Sequence, residues 1–227
     1  MKKLVLIGHA GAGKSTGANI LADILDCPAV HGDIIMFDAV ARFPDKTEAM
    51  FGERPGSDGR AFTWRYLRDN TTIRNERALV ELTKDYVDQQ VSDIIDALTQ
   101  PNKDNMFLHD KEAVYKPKRN PEIVVFEWHA ANHTSHWDNA SYRGIVEADP
   151  EKRRQKLLKR IRESGYERED VDVPQIRFSA HEPGYKKVAH MINLPPFKNN
   201  YDDTFKQSIR GICGLIILTR NQDGKEF

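Results

Sequence analysis

The feature that most constrains the fold is a glycine-rich loop that directly follows a short apolar segment near the start of the chain. Residues 8–15 read GHAGAGKS, and residues 4–7 before them read LVLI. The loop matches G-x-x-x-x-G-K-S/T placed after a strand, where glycines let successive backbone N–H groups converge on an anion. A helix that begins near Lys14 would add the positive end of its dipole. The sequence therefore predicts a strand–loop–helix unit that binds the phosphates of a nucleoside triphosphate.

The residues of this loop have distinct expected roles. We expect Lys14 to reach the β- and γ-phosphates, which makes it a candidate catalytic residue, and the hydroxyl of Ser15 to be a ligand of Mg²⁺. The residues predicted to bind the nucleotide are Gly8, Gly11, Ala12, Gly13, Lys14, Ser15 and Thr16. An ordinary glycine-rich turn is the alternative, but such a turn has no use for the lysine and the serine. The predicted cofactors are ATP and Mg²⁺.

The composition narrows the partners of such a unit. The chain has 227 residues, of which 34 are basic and 34 acidic, so its formal net charge is zero. A neutral chain has no overall attraction to nucleic acid or to a membrane surface. No apolar run approaches the length needed to span a bilayer, and residues 4–7 are too short for the core of a signal peptide. We therefore expect a cytoplasmic protein whose partner is a small-molecule acceptor, with no nucleic acid and no membrane.

Strand and helix patterns alternate along the chain. The segments with the pattern of strands are residues 3–7, 29–31, 123–126, 144–148, 188–194 and 214–219. The segments with the pattern of helices are residues 15–25, 34–43, 70–98, 151–164 and 201–209. This alternation predicts an α/β protein with the P-loop NTPase fold, a doubly wound parallel sheet with helices on both faces and a small helical lid. We expect a single kinase domain over residues 1–227, with a helical acceptor-binding insert at about 45–100 and the lid at about 151–185.

Two acidic residues stand at the carboxyl ends of predicted strands. Asp33 follows the second strand, at the edge where ligands bind in such sheets. A carboxylate there can accept a proton from an acceptor hydroxyl, so Asp33 is the candidate catalytic base; a helix N-cap is its alternative role. Glu127 ends the third predicted strand, where it either orients Mg²⁺ through water or packs the loop. Both are candidate substrate-binding residues.

Cations that stabilise the transferring phosphoryl group are expected in the predicted lid. Basic residues crowd the helix at 151–164, and most of them form a solvated face. We choose Arg160 as a catalytic residue and Arg177 as a nucleotide-binding residue. A second cluster holds His129, His133 and His136. Because these histidines have no cysteine partner and Mg²⁺ prefers oxygen, we interpret them as polar residues of a loop over the acceptor site.

With these residues placed, the chain resembles the dephospho-CoA kinase family over roughly residues 2–193. The segment HGDII is similar to the family's D-A-D segment, with His31 in place of the first Asp and Asp33 at the position of the catalytic base. The family's lid arginine falls on Arg160. An R-x-x-L-like element implies that Arg65 contacts the substrate. The resemblance implies phosphorylation of the ribose 3′-hydroxyl of dephospho-CoA by ATP and Mg²⁺, and hence coenzyme A biosynthesis.

The sequence departs from the family pattern around the acceptor. Trp128-His129-Ala130 stands where the family has Pro-Leu-Leu. A nucleoside or nucleoside monophosphate kinase is therefore an alternative, although a phosphate acceptor needs several arginines and no base, so Asp33 favours a hydroxyl acceptor. A nucleotide-hydrolysing switch is the second alternative. Against it, the chain has no N-K-x-D motif for guanine recognition.

Overall fold

A six-stranded sheet forms the centre of the computed structural model, which describes residues 1–166 and 168–223. The strands are β1 (Lys2–Ile7), β2 (Ala29–His31), β3 (Val114–Tyr115), β4 (Ile123–Glu127), β5 (Tyr142–Ala148) and β6 (Phe197–Asn199). The sheet order is β3-β2-β4-β1-β5-β6. All neighbouring strands in this sheet pair in parallel except β2 and β3, which pair in antiparallel fashion. The predicted α/β fold with a mostly parallel sheet is confirmed.

Helices surround this sheet. Within the described residues they are α1 (Lys14–Leu25), α2 (Gly32–Arg42), α3 (Pro44–Phe51), α4 (Gly59–Asn70), α5 (Ile73–Thr99), α6 (Ser135–Asp138), α7 (Pro150–Glu163), α8 (Val173–Val188) and α9 (Asp203–Asp223). Short 3₁₀ turns at Met106–His109, Ala131–His133 and Ala189–Met191 complete the connections. None of the helices in the described part of the chain has the length and apolar character needed to cross a bilayer.

The core lies on both faces of the sheet because successive side chains of a strand point to opposite sides. In β1, Leu4 and Leu6 belong to one buried cluster, together with residues of α1 and α9. Val5 and Ile7 belong to the other cluster, with residues of α2, α5 and α8. A strand segment buried on both faces is expected to be continuously apolar, as residues 4–7 of β1 and 123–126 of β4 are. The predicted double winding is thus present in the packing.

The predicted helix over residues 70–98 is interrupted at its start. α4 ends at Asn70, and α5 begins at Ile73 after Thr72, whose hydroxyl accepts a hydrogen bond from the backbone N–H of Asn75. This is the N-cap geometry that threonine favours, and it separates two helices that the apolar spacing alone could not divide.

Two predicted strands are wrong. Residues 188–194 contain the 3₁₀ turn Ala189–Met191, and the edge strand is β6 instead, immediately after two prolines. Residues 214–219 lie within α9, where Ile216 is buried while Leu215 and Leu218 are exposed. A short apolar run cannot be assigned to strand or helix from periodicity alone, and here the flanking helix continues through it.

Candidate active site

The glycine-rich loop is held from behind by β6 and the segment that follows it. The side-chain amide of Asn199 donates to the carbonyl of Ala12 at 2.8 Å, and the hydroxyl of Tyr201 donates to the carbonyl of Gly11, also at 2.8 Å. Gly13 has φ +93°, and a Cβ there would lie 2.3 Å from Asn199 Nδ2. Glycine is therefore required at this position for both conformation and space.

Lys14 is the first residue of α1, directly after the left-handed Gly13. Its side chain is nearly buried, and Nζ donates to the carbonyl of His9 at 3.3 Å. The ammonium group is thus folded back over the loop whose N–H groups stand at a helix N-terminus. Such a loop concentrates positive potential where phosphates would lie.

Ser15 and Glu127 are brought together by the sheet. The hydroxyl of Ser15 donates to Oε1 of Glu127 at 2.8 Å. Glu127 is fully buried, and its other oxygen, Oε2, is buried with no hydrogen-bond partner among the described residues. An unpartnered buried carboxylate oxygen next to a serine hydroxyl suits a divalent cation or its water, since hard cations take oxygen ligands. These residues fit Mg²⁺.

Asp33 lies in the first turn of α2 and contacts a histidine from the loop after β4. Nδ1 of His129 donates to Oδ1 of Asp33 at 2.8 Å. Burial opposes ionisation of this carboxyl, but the charges of His129, Lys14 and Arg160 outweigh it and hold the pKa of Asp33 well below its usual range. The N-cap alternative for Asp33 is wrong, because the N-cap position of α2 is His31.

A single cleft of about 1260 Å³ joins these groups. The predicted site residues that line it are Gly11, Gly13, Lys14, Ser15, Thr16, Asp33, Glu127, Arg160 and Arg177. Gly8 and Ala12 support the loop from its ends and interior without lining the cleft. The sequence argument that strand ends converge thus accounts for the glycine-rich loop, Asp33 and Glu127 in this lining.

The two candidate lid arginines face the same aromatic ring. The guanidinium groups of Arg160 and Arg177 both lie 5.6 Å from the centre of the Trp64 ring. Arg177 is also paired with Glu76 at 3.0 Å, and both side chains are nearly buried. Arg160 is exposed at the residue level, and no ion pair engages it within the described residues. Arg160 therefore remains available to a ligand.

Arg65, the remaining predicted substrate residue, is not brought into this cleft. It is exposed on α4 and forms an ion pair with Glu53. Its neighbours Thr63 and Trp64 line the cleft instead. A substrate role for Arg65 stays a prediction.

The three clustered histidines separate in the structure. His129 lines the cleft, as expected for a residue of a loop over the acceptor site. His136 is buried between Lys3 and Ser92, at 3.1 Å and 3.2 Å from their polar atoms. His133 is exposed.

Sequence reasoning missed the residues that brace the site from distant elements. Besides Asn199 and Tyr201, Tyr185 on α8 is buried and its hydroxyl lies 2.9 Å from the carbonyl of Gly8 and 2.7 Å from that of His129. Burial raises the pKa of Tyr185, so the hydroxyl keeps its proton and donates. No local motif marks such a residue, because its partners are more than 50 positions away in the chain.

Comparisons with known proteins support the fold. No family model and no curated protein matches the chain. Among solved structures, TT1252 from Thermus thermophilus aligns with a TM-score of 0.60 and 17% identity, covering 96% of this chain and 97% of its own. Shikimate kinase from Bacteroides thetaiotaomicron aligns with a TM-score of 0.47 and 14% identity, covering 95% of this chain and 98% of its own. Shikimate kinase from Acinetobacter baumannii in complex with shikimate aligns with a TM-score of 0.48 and 14% identity, covering 96% of this chain and 94% of its own. The likeness to TT1252 shows a shared overall fold, and the two lower scores are too small to support an inference.

Proposed function

We propose that this chain is an ATP-dependent kinase that transfers the γ-phosphoryl group of ATP to a hydroxyl of a small molecule. The observation that carries the proposal is the position of Asp33. Its carboxylate, paired with His129, opens into the same cleft as Lys14 and Ser15 of the glycine-rich loop. Phosphoryl transfer needs positioned phosphates, a metal and a group that orients the acceptor, and this cleft can supply all of them.

The donor end of the cleft would hold the triphosphate by charge and backbone donors. Lys14 lies at the loop, and Arg160 lines the same cleft, where it can balance charge that develops on the transferred group. Ser15 and Oε2 of Glu127 are the groups that would hold Mg²⁺, which neutralises phosphate charge when bound. Gly11 and Gly13 keep the loop backbone open to the anion.

The acceptor end favours a hydroxyl over a phosphate. Asp33 is ionised at neutral pH and can accept a hydrogen bond from an acceptor hydroxyl and then its proton. A phosphate acceptor would need several free arginines. Of the three described arginines that line the cleft, Arg177 is paired with Glu76 and Arg60 with Glu112, which leaves Arg160 alone. The charges in the cleft therefore support an acceptor that reacts through a hydroxyl group.

The finer proposal is that the acceptor is dephospho-CoA, phosphorylated at its ribose 3′-hydroxyl, which would place the chain in coenzyme A biosynthesis in the cytoplasm. The sequence resemblance supports this acceptor through Asp33 and Arg160. A nucleoside or nucleoside monophosphate kinase is the alternative, and a nucleotide-hydrolysing switch is the second. All three candidate functions use the glycine-rich loop, so they differ in what binds at the acceptor end of the cleft.

A panel of acceptors tests the proposal. ATP consumption is measured with Mg²⁺ alone and then with dephospho-CoA, nucleosides and nucleoside monophosphates added one at a time. We expect strong stimulation by one hydroxyl compound, and none in Lys14→Ala, which removes the phosphate contact. Stimulation by a monophosphate that carries no free hydroxyl would favour the nucleotide kinase. ATP consumption that ignores every acceptor would favour the switch and refute the kinase.

A further inference from the structure

A chain of buried polar contacts runs behind the proposed Mg²⁺ site. Ser15, Glu127 and His31 are joined by hydrogen bonds that end on the same carboxylate oxygen, Oε1, each at 2.8 Å. Nε2 of His31 lies 3.0 Å from Oδ1 of Asn19, so the ring is held at both nitrogens. His31 is 6% exposed and Glu127 is fully buried. Such a chain ties two strands and a helix together at the base of the cleft.

The sheet and helix geometry explain why these residues meet. His31 and Glu127 are direct partners at the ends of the neighbouring parallel strands β2 and β4. Ser15 and Asn19 are four residues apart on α1 and so project from the same side of that helix. The helix therefore presents one residue to Glu127 and the other to His31.

The two oxygens of Glu127 have different surroundings. Oε1 accepts both hydrogen bonds, whereas Oε2 is buried with no partner among the described residues. Because a carboxylate oxygen only accepts, Nδ1 of His31 is the donor in this contact. A buried polar atom without a partner is unfavourable, so Oε2 favours a partner such as a bound cation or its water.

We propose that His31 is a positioning residue for the divalent cation: it holds Oε1 of Glu127 so that Oε2 faces the metal or its water. The inference rests on the proposed use of ATP with Mg²⁺. His31 acts through Glu127 and does not itself contact the transferred group. The partners that orient a metal-binding carboxylate contribute strongly to affinity, and their loss reduces metal affinity by about 10–100-fold.

The test measures metal binding and does not depend on turnover. Mn²⁺ is titrated into the protein with a non-hydrolysable ATP analogue, and bound Mn²⁺ is followed by electron paramagnetic resonance. In His31→Leu, which keeps side-chain bulk and removes the donor, we expect Mn²⁺ affinity to fall about 10–100-fold. His31→Asn keeps an N–H donor near the position of Nδ1 and should restore most of the affinity. Affinity for the analogue without metal should stay within about twofold, since the phosphate contacts of the loop are untouched.

Two further variants keep the test decisive. His136→Leu is the matched control, because His136 is equally buried and hydrogen-bonded but lies outside the cleft, and Mn²⁺ affinity should not change. If His31→Leu does not fold, Asn19→Ala removes the contact at Nε2 and should weaken Mn²⁺ binding at least about threefold.

Three results would overturn the inference. They are wild-type Mn²⁺ affinity in a folded His31→Leu, wild-type Mn²⁺ affinity in Asn19→Ala, and an equal loss of metal-free nucleotide binding, which would make His31 merely structural. Failure of the wild-type protein to bind Mn²⁺ with the analogue would instead contradict the proposed function.

Discussion

Asp33 and His129 come from different elements, and their contact depends on the residues around them. Tyr185 contacts the backbone carbonyl of His129, and the His181 ring lies 4.7 Å from the His129 ring in an edge-on arrangement. The imidazole therefore has little freedom to leave the carboxylate. At this scale the site is a set of side chains whose charge and direction are fixed by neighbours.

Asp33→Asn tests the role of the carboxylate. The amide keeps the size of the side chain but cannot accept a proton, so turnover with a saturating acceptor should fall by about two to four orders of magnitude. Asp38→Asn on the same helix is the matched control, since Asp38 pairs with Arg42 outside the cleft, and turnover there should stay near the wild-type value. Near-normal turnover in Asp33→Asn would remove Asp33 from the mechanism.

His9 makes stability depend on pH. Burial and the charge of Arg153 lower the pKa of His9 to about 4, from 6.5 for an exposed histidine. Between these two pKa values His9 is protonated in the unfolded chain but neutral in the folded chain. The free energy of unfolding therefore decreases as pH falls from about 6.5 towards 4. Between pH 6.5 and 5, His9 lowers the free energy of unfolding by about 2 kcal/mol.

His9→Gln should remove the contribution of His9 to this pH dependence. Urea unfolding at pH 7 and pH 5 should show a smaller drop in the free energy of unfolding for His9→Gln than for the wild-type protein. Burial also lowers the pKa of His136 and His181, so part of the pH dependence should remain. An identical drop in the two proteins would show that His9 is not desolvated in the folded state.

The elements that build the cleft meet at close backbone contacts. α4 crosses α2 at Gly59, where an added Cβ would lie 1.9 Å from the carbonyl oxygen of Phe37. This approach brings Trp64, on the same helix, towards the cleft. Helix crossing and site shape are therefore linked through one small residue.

Gly59→Ala should lower the free energy of unfolding, whereas the same substitution at an open helical position should not. Overpacking at a backbone contact is expected to destabilise the fold by about 1–3 kcal/mol. Gly211 is exposed on α9, and a built Cβ there would meet no described residue outside the adjacent helix turns within 4 Å, so Gly211→Ala should stabilise the fold by up to about 1 kcal/mol. Both values come from urea unfolding. Equal effects at the two positions would refute the close crossing.

The buried pair of Glu76 and Arg177 joins α5 to α8. Arg177→Met leaves a buried carboxylate without its partner and should cost about 3–5 kcal/mol. Adding Glu76→Gln should recover much of that loss, because it removes the uncompensated charge. Thermal unfolding of the two single variants and the double variant measures this coupling. Simple additivity of the single effects would mean that the pair contributes no coupling.

Across the whole molecule, sequence reasoning brings residues together where a local pattern and a strand end coincide. The glycine-rich loop and Asp33 come after strands and Glu127 ends one, and the structure places them in one cleft, while their roles stay predictions. Prediction from sequence failed at the edge of the sheet. The strand β6 has three residues, which is too short to show a periodicity, yet it places Asn199 against the loop. The contact between His31 and Glu127 was also beyond prediction from sequence, because strand order, which the sequence does not encode locally, makes them neighbours.

The proposed kinase moves a phosphoryl group to an acceptor hydroxyl rather than to water. The most direct measurement follows the label of [γ-³²P]ATP in the presence of Mg²⁺ and the acceptor that stimulates ATP consumption. We predict that the label appears in an ester of the acceptor, in proportion to the ADP formed, and that Asp33→Asn slows this transfer by about two to four orders of magnitude. Recovery of the label as inorganic phosphate, with or without acceptor, would contradict the account.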